Sequence, residues 1–186
     1  MEIALFGTSA DPPTTGHQGI LRWLSQHFDQ VVVWASDNPF KSHQTIIEHR
    51  MKMLKILIEE ISPHHNITLR QELSSRRTLE TVEGVQQYWP YAKLNLVVGS
   101  DLIAQMPKWY KIEALLSQVS LLIVPRPGYE LEDENLKNLQ QLGGNVAIAS
   151  IIGLPVSSSS YRQSGDVETL TPGIQAYIEQ NQLYSS

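Results

Sequence analysis

The sequence contains no cysteine among its 186 residues. Disulfides, zinc–thiolate centres and thiol nucleophiles are thereby excluded, and secretion gains no support. Long hydrophobic runs are also missing. No window approaches 18 consecutive apolar residues, so no membrane-spanning helix is expected. The opening "MEIALFGTSADPP" shows no basic segment leading into an apolar one, the arrangement of a secretory signal. Excess positive charge is absent as well: 14 Lys and Arg face 19 Asp and Glu, a formal net charge of −5. Bulk binding to nucleic acid or to an anionic membrane surface is therefore not expected. A local basic cluster can still hold a small anion, such as a phosphorylated metabolite. Repeats and low-complexity tracts are lacking apart from the serines at 157–160. These exclusions lead to the expectation of a cytoplasmic protein with a single domain over residues 1–186, long enough to bury about 70% of the surface its unfolded chain would expose.

What is present is an alternation. "EIALFG", "QVVVWAS", "NITLR", "KLNLVVGS", "SLLIVPR" and "NVAIAS" are short, rich in Val, Ile and Leu, and often apolar at consecutive positions, as in parallel strands covered on both faces. Helical patterns lie between them. The clearest spans 44–61, where Ile47, Met51, Leu54, Ile58 and Ile61 recur at steps of four and three before Pro63. Others are expected from Gly16, Thr78, Ile112 and Asp133. Strands alternating with helices predict an α/β fold with a doubly wound parallel sheet.

In such a sheet, ligands bind beyond the carboxyl ends of the strands, where loops enter helices. "GTSADPPTTGHQG", residues 7–19, holds that position after the first strand. Gly7 and Gly16 permit close backbone approach, and the helix starting near Gly16 turns its free amides and positive dipole end toward the same space. His17, in its first turn, can donate to a phosphate oxygen. Equally, Thr14, Thr15 and His17 can serve only to cap the helix. Neither G-x-G-x-x-G nor G-K-[ST] occurs there, so the turn is neither a dinucleotide fingerprint nor a Walker loop. The hydroxyls and amides of "SSSSYR", 157–162, form a second plausible phosphate cradle.

"TTGH" at 14–17 resembles the [HT]-x-G-H signature of the nucleotidylyltransferase superfamily, and "SSSSYR" is similar to its second, Ser/Thr-rich signature ending in Arg. Further matches point to the bacterial nicotinate-nucleotide adenylyltransferases. "EHRMKML" at 48–54 resembles their H-R-x-x-M-L helix. "VVGSDLIAQMPKWYKIEALL" with "IVPRPGY" resembles their central block, and "LTPGIQAYIEQNQLY" their closing helix. The resemblance covers about the full length. The chain departs from the family at Thr8, Ala10 and Thr14, where the family has Gly, Phe and His. It departs again at "NPFK", 38–41, in place of P-P-H-K, and at "RRTLETV", 76–82, in place of S-Y-T-x-D-T-L. The last two flank what the family uses for the pyridine nucleotide.

The resemblance implies a Rossmann-like nucleotidylyltransferase fold and transfer of the adenylyl group of ATP to nicotinate mononucleotide, giving nicotinate adenine dinucleotide and pyrophosphate in NAD biosynthesis. It implies that His17 donates to the α-phosphate with Thr14 in support, that Ser157, Ser158, Ser159 and Arg162 hold the β,γ-phosphates, and that Lys41 reaches in from a loop. Gly7, Thr8, Ser9, Gly16, Gly99 and Asp101 complete the expected ATP site. Arg50, Thr78, Trp109 and Tyr110, with Lys41 and Asp101, make up the expected pyridine nucleotide site, the ring stacking on Trp109. Arg126 is assigned either to the ATP end or to bracing its turn.

Several residues keep a structural reading. Asp101 can cap the helix after it, Trp109 can belong to the core, and Arg50, placed on the polar side of its helix, can make only a solvated ion pair. His43, His49, His64 and His65 are expected at the surface. No H-x-x-x-H and no paired Asp at ligand spacing occur, so magnesium is expected to arrive on ATP. A homo-oligomer is compatible with the sequence. Three alternatives stay open: a preference for nicotinamide mononucleotide, transfer to another phosphate acceptor such as phosphopantetheine, and a silent nucleotide sensor on the same scaffold.

Overall fold

The structure is a computed structural model that describes residues 1–37, 45–61, 66–151 and 156–185. Six strands form one sheet: β1 (Glu2–Thr8), β2 (Gln30–Ala35), β3 (Ile67–Leu69), β4 (Lys93–Gly99), β5 (Ser120–Val124) and β6 (Asn145–Ile148). Their order is β3-β2-β1-β4-β5-β6, and every neighbouring pair is parallel. Each of the six β-rich runs of the sequence supplies one of these strands.

Seven helices accompany the sheet: α1 (Thr15–His27), α2 (Ile47–Glu59), α3 (Thr78–Tyr88), α4 (Ile112–Gln118), α5 (Asp133–Gln141), α6 (Ser158–Ser164) and α7 (Pro172–Asn181). Among the described residues, no helix is long and apolar enough to cross a membrane. The apolar runs of the central strands bury alternate residues against opposite layers. Ala4, Phe6, Val31 and Val33 pack with residues of α1, α2 and α7, whereas Ile3, Leu5, Val32 and Trp34 pack with residues of α3, α4 and α5. Consecutive apolar residues thus mark strands sandwiched between two helix layers, as the run pattern predicts. β6 departs from this expectation. It lies at the sheet edge and Ile148 is 52% exposed.

The α2 expectation needs one correction that bears on the site. Its fully buried stripe is Arg50, Met53, Leu54, Leu57 and Ile58, while Ile47 and Met51 are only partly covered. Arg50 therefore lies on the inner face, four residues before Leu54 and seven before Leu57, and not on a solvated polar side.

Strand order reverses across β1 and β4, whose outer neighbours run away in opposite directions through the sequence. That reversal opens a crevice at the carboxyl ends of the strands. A cavity of about 590 Å³ occupies it.

Candidate active site

The cavity wall begins at the end of β1. Gly7, Thr8 and Ser9 line it, and Gly7 has to be glycine because an added Cβ would sit 2.4 Å from Trp34 Nε1. The close neighbour that Gly7 admits is thus an indole of β2, which also forms part of the wall. Thr8 closes the turn by accepting from Ala10 N–H at 3.2 Å.

Thr14 caps α1. Its hydroxyl accepts from Gly16 N–H at 3.2 Å, and its own N–H donates to His17 Nδ1 at 3.0 Å, which makes a reciprocal capping box with His in the place usual for Glu or Gln. The capping reading of His17 therefore holds. A nitrogen that accepts a backbone N–H carries no proton, so the ring proton of neutral His17 is on Nε2. His17 lines the cavity, and the cap fixes both its position and its tautomer. Thr14 also lines the cavity but is fully buried, with its hydroxyl 3.0 Å from His17 Nδ1. Its observed contacts are those of a residue that orients His17. Gly16 lets α1 approach Val156, 3.1 Å from where its Cβ would stand.

The second signature docks on the same turn. Ser158 Oγ donates to Pro12 C=O at 2.7 Å and accepts from Asp11 N–H at 3.2 Å. Arg162 donates from Nη1 to Asp11 C=O at 2.6 Å and from Nη2 to Ser159 Oγ at 3.2 Å. Ser158, Ser159 and Arg162 all line the cavity. Ser157 does not. Its hydroxyl caps α6, accepting from Ser160 N–H at 3.0 Å.

At the end of β4, Gly99 makes room for Asp101, whose Oδ1 would lie 2.4 Å from an added Cβ. Asp101 lies within the short 3-10 turn Ser100–Leu102 that follows β4. Its Oδ2 accepts from Arg126 Nη1 at 2.9 Å, and both line the cavity. Arg126 is braced too, its N–H donating to Ser100 Oγ at 2.8 Å. Trp109 packs against the core layer of α3 to α5, as its structural reading expects, and also lines the cavity. Tyr110 and Thr78 complete that side.

Arg50 is 1% exposed and lies behind the cavity. It donates to the carbonyls of Thr8 and Ala10, each at 3.3 Å, and of Ser36 at 2.8 Å. Its side chain thus ties the β1 turn to the end of β2, which corrects its assignment as a nucleotide ligand. Burial lowers its pKa, opposed by the charges of Asp11, Tyr184 and Asp37. His49 is half-buried, Nδ1 lying 2.7 Å from the Tyr177 hydroxyl, and so bonds α2 to α7. Lys41, Pro39, His43, His64 and His65 lie outside the described residues.

Sequence reasoning missed Trp34, Asp37, Lys108 and the pair Arg76 and Arg77, all of which line the cavity. The two arginines were readable as the basic residues at the start of "RRTLETV". Among the described residues, the lining carries five cationic side chains, Arg76, Arg77, Lys108, Arg126 and Arg162, against the carboxylates of Asp37 and Asp101. A chain of net charge −5 has gathered positive charge in one crevice, which favours anionic ligands.

Comparison with known proteins agrees with this geometry. The cytidylyltransferase-like family model matches residues 5–164. A Synechocystis sp. protein named "Probable nicotinate-nucleotide adenylyltransferase" is 45% identical over 99% of both chains. The chain belongs to the nicotinate-nucleotide adenylyltransferase branch of the cytidylyltransferase-like family. A Bacillus cereus relative of the same name is 32% identical over 100% of this chain and 99% of its own. The solved "Plasmodium falciparum nicotinic acid mononucleotide adenylyltransferase complexed with NaAD" superposes with a TM-score of 0.83 at 22% identity, covering 98% of this chain and 97% of that one, and shares the fold. In this chain Thr14 builds the capping box that holds His17.

Proposed function

We propose that the chain, acting as a single domain, transfers the adenylyl group of ATP to nicotinate mononucleotide. The observation that carries this reading is the crevice itself: a capped His17 and the Ser158–Arg162 grip on one turn share a single cavity with Trp109 and Tyr110, within a cationic wall. Full-length similarity to relatives named for this reaction supports the choice of substrates.

The reaction asks for positioning more than for covalent help. A 5′-phosphate oxygen of the mononucleotide attacks the α-phosphorus in line; as that P–O bond forms, the bond to the β-phosphate oxygen breaks and pyrophosphate leaves. No proton has to be removed from the nucleophile, which is already anionic at neutral pH. The protein's task is to hold two mutually repelling anions together and to stabilise charge building on the α-phosphoryl oxygens and the leaving group. His17 Nε2–H donates to an α-phosphoryl oxygen. Arg162, with Ser158 and Ser159, holds the β- and γ-phosphates, the planar fork suiting bidentate contact. Lys41 adds a cation to the phosphates, and Asp101, held by Arg126, serves the nucleotide's polar groups.

Among the described residues, no group of three His, Cys, Asp or Glu stands at ligand geometry. A divalent cation therefore fits this site as a passenger on the triphosphate, and magnesium is the expected one. The test is pyrophosphate release from ATP and magnesium with each mononucleotide. Release that requires nicotinate mononucleotide is expected. ATP binding without release with any acceptor would overturn the reading in favour of a sensor, and release only with phosphopantetheine would assign another branch.

A further inference from the structure

We propose that Arg77 is the residue that selects the pyridine carboxylate over the carboxamide, an inference that rests on the function proposed above. Nicotinate and nicotinamide mononucleotides differ only at that substituent, so discrimination has to come from groups that meet it. Hydrogen bonds tie His17, Ser158 and Arg162 to the turn after β1, the segment proposed above to take the phosphates. Arg77 stacks on Tyr110, its guanidinium carbon 4.1 Å from the ring centroid, and both line the cavity, as does Trp109, the sequence neighbour of Tyr110.

The segment presenting Arg77 is fixed. Gln71 clamps Ala35 at the end of β2, accepting its N–H at 2.7 Å and donating to its carbonyl at 2.8 Å. Ser75 N–H donates to Thr81 Oγ1 at 3.0 Å, Ser75 Oγ donates to Glu80 at 2.7 Å, and Arg77 N–H donates to Ser75 Oγ at 3.2 Å. Arg77 then caps α3, so the helix dipole adds to its charge. Of its five donors, Nη1 faces Glu80 at 3.5 Å, a loose contact between half-exposed groups.

A guanidinium donates and never accepts. It satisfies both oxygens of a carboxylate, whereas the NH₂ of a carboxamide would meet it donor to donor. Attraction and rejection thus act in the same direction, which is what strong discrimination needs. Arg76 is less suited: its Nε donates to Asp37 at 2.9 Å, and it is the more exposed of the two. A charge-assisted hydrogen bond of ordinary strength corresponds to about 10- to 100-fold in relative affinity.

The experiment takes kcat/KM for both mononucleotides, at fixed ATP, in the wild type and in Arg77→Gln, Arg77→Lys and Arg76→Gln. Titration calorimetry with nicotinate mononucleotide alone reads binding independently of turnover. The wild type is expected to prefer the acid. Arg77→Gln should lower the acid-to-amide ratio about 10- to 100-fold, chiefly through KM for the acid and with KM for ATP unchanged, and weaken calorimetric binding to match. Arg77→Lys should restore part of the ratio, and Arg76→Gln should change it less than about threefold. A ratio that Arg77→Gln leaves within about twofold, or that Arg76→Gln lowers equally, would overturn the assignment while leaving adenylyl transfer intact. So would a wild type that prefers the amide. No pyrophosphate release with either mononucleotide would remove the proposed function and this inference together.

Discussion

His17 is held by its Nδ1 and is proposed to act through its Nε2, so substitutions can separate its two duties. Removing the ring in His17→Ala takes away the acceptor of the Thr14 N–H, a bond of 3.0 Å in a part-buried turn. A lost hydrogen bond that strands a backbone donor costs about 1–2 kcal/mol, which for a chain of this size lowers Tm by about 2–8 °C. The same change removes a donor to the α-phosphoryl oxygen, worth about 10²–10³ in kcat where the bond strengthens in the transition state. His17→Glu distinguishes the two. Glu is the usual third residue of a capping box, and its charge favours a helix N-terminus, so this variant should recover wild-type Tm within about 2 °C. Its carboxylate faces the phosphates, and activity should fall at least as far as in the alanine variant. The assays are thermal unfolding of all three proteins and pyrophosphate release under saturating substrates. KM for ATP in His17→Ala should change less than about fivefold. Equal losses in kcat and in ATP affinity would refute the transition-state role. An alanine variant as stable as wild type would refute the cap argument, and a glutamate variant with more than a tenth of wild-type kcat would refute the donor role of Nε2.

Arg50→Met keeps the buried volume but removes the Arg50 bonds to the carbonyls of Thr8, Ala10 and Ser36 and leaves Asp11 without its neighbouring cation; a loss of about 3–5 kcal/mol is expected in urea unfolding. A loss below about 1 kcal/mol would show that the guanidinium is dispensable to the turn. Trp109→Ala should raise KM for the mononucleotide about 5- to 100-fold, from a stacking contribution of about 1–3 kcal/mol, and KM for ATP much less; equal rises would place the ring elsewhere. Tyr184 donates its hydroxyl to Asp11, and burial first, then this bond, pushes its pKa up. A raised folded pKa means the contribution is fully present below the unfolded value of about 10 and falls away above it. The stability margin of the wild type over Tyr184→Phe should therefore shrink between pH 9 and 11, and a constant margin across that range would contradict the buried bond.

The strands were legible because burial on both faces demands unbroken Val, Ile and Leu runs, and such runs need no knowledge of partners. Helix starts were legible at Thr78, Ile112 and Asp133, and to within one residue at α1, where Thr14 supplies the cap. The site was legible where residues local in sequence act locally: His17 and its cap, Ser158 with Arg162, Gly99 with Asp101. What escaped depends on contacts between distant segments. Nothing near Gly7 announces that Trp34 will stand where its Cβ would be. Nor does "RRTLETV" reveal that Gln71 and Ala35 fix it against β2. Arg50 was misplaced for another reason. The apolar residues alone define the stripe of α2 one position off, because a buried arginine belongs to it and hydrophobicity counts that arginine as polar.

The two signature segments are physically a single unit, and Asp11 is where they join. Its N–H donates to Ser158, its carbonyl accepts from Arg162, and its carboxylate takes Thr45 N–H at 3.3 Å and the Tyr184 hydroxyl. Asp11 is 1% exposed and Arg50 packs its charge against this residue from behind. The turn after β1, the start of α6, the entry to α2 and the residues after α7 are therefore fastened through one side chain and its peptide. A charge so enclosed is tolerated only with partners, and removing any of them leaves the others uncompensated. The consequence for catalysis is geometric. The cap that sets His17 stands on the same turn that Arg162 grips, so the donor for the α-phosphate and the cation for the leaving group keep one spacing. A reaction that depends on alignment, with no covalent step by the protein, gains most from such rigidity, because a displacement of about 1 Å costs on the order of 10²-fold in rate.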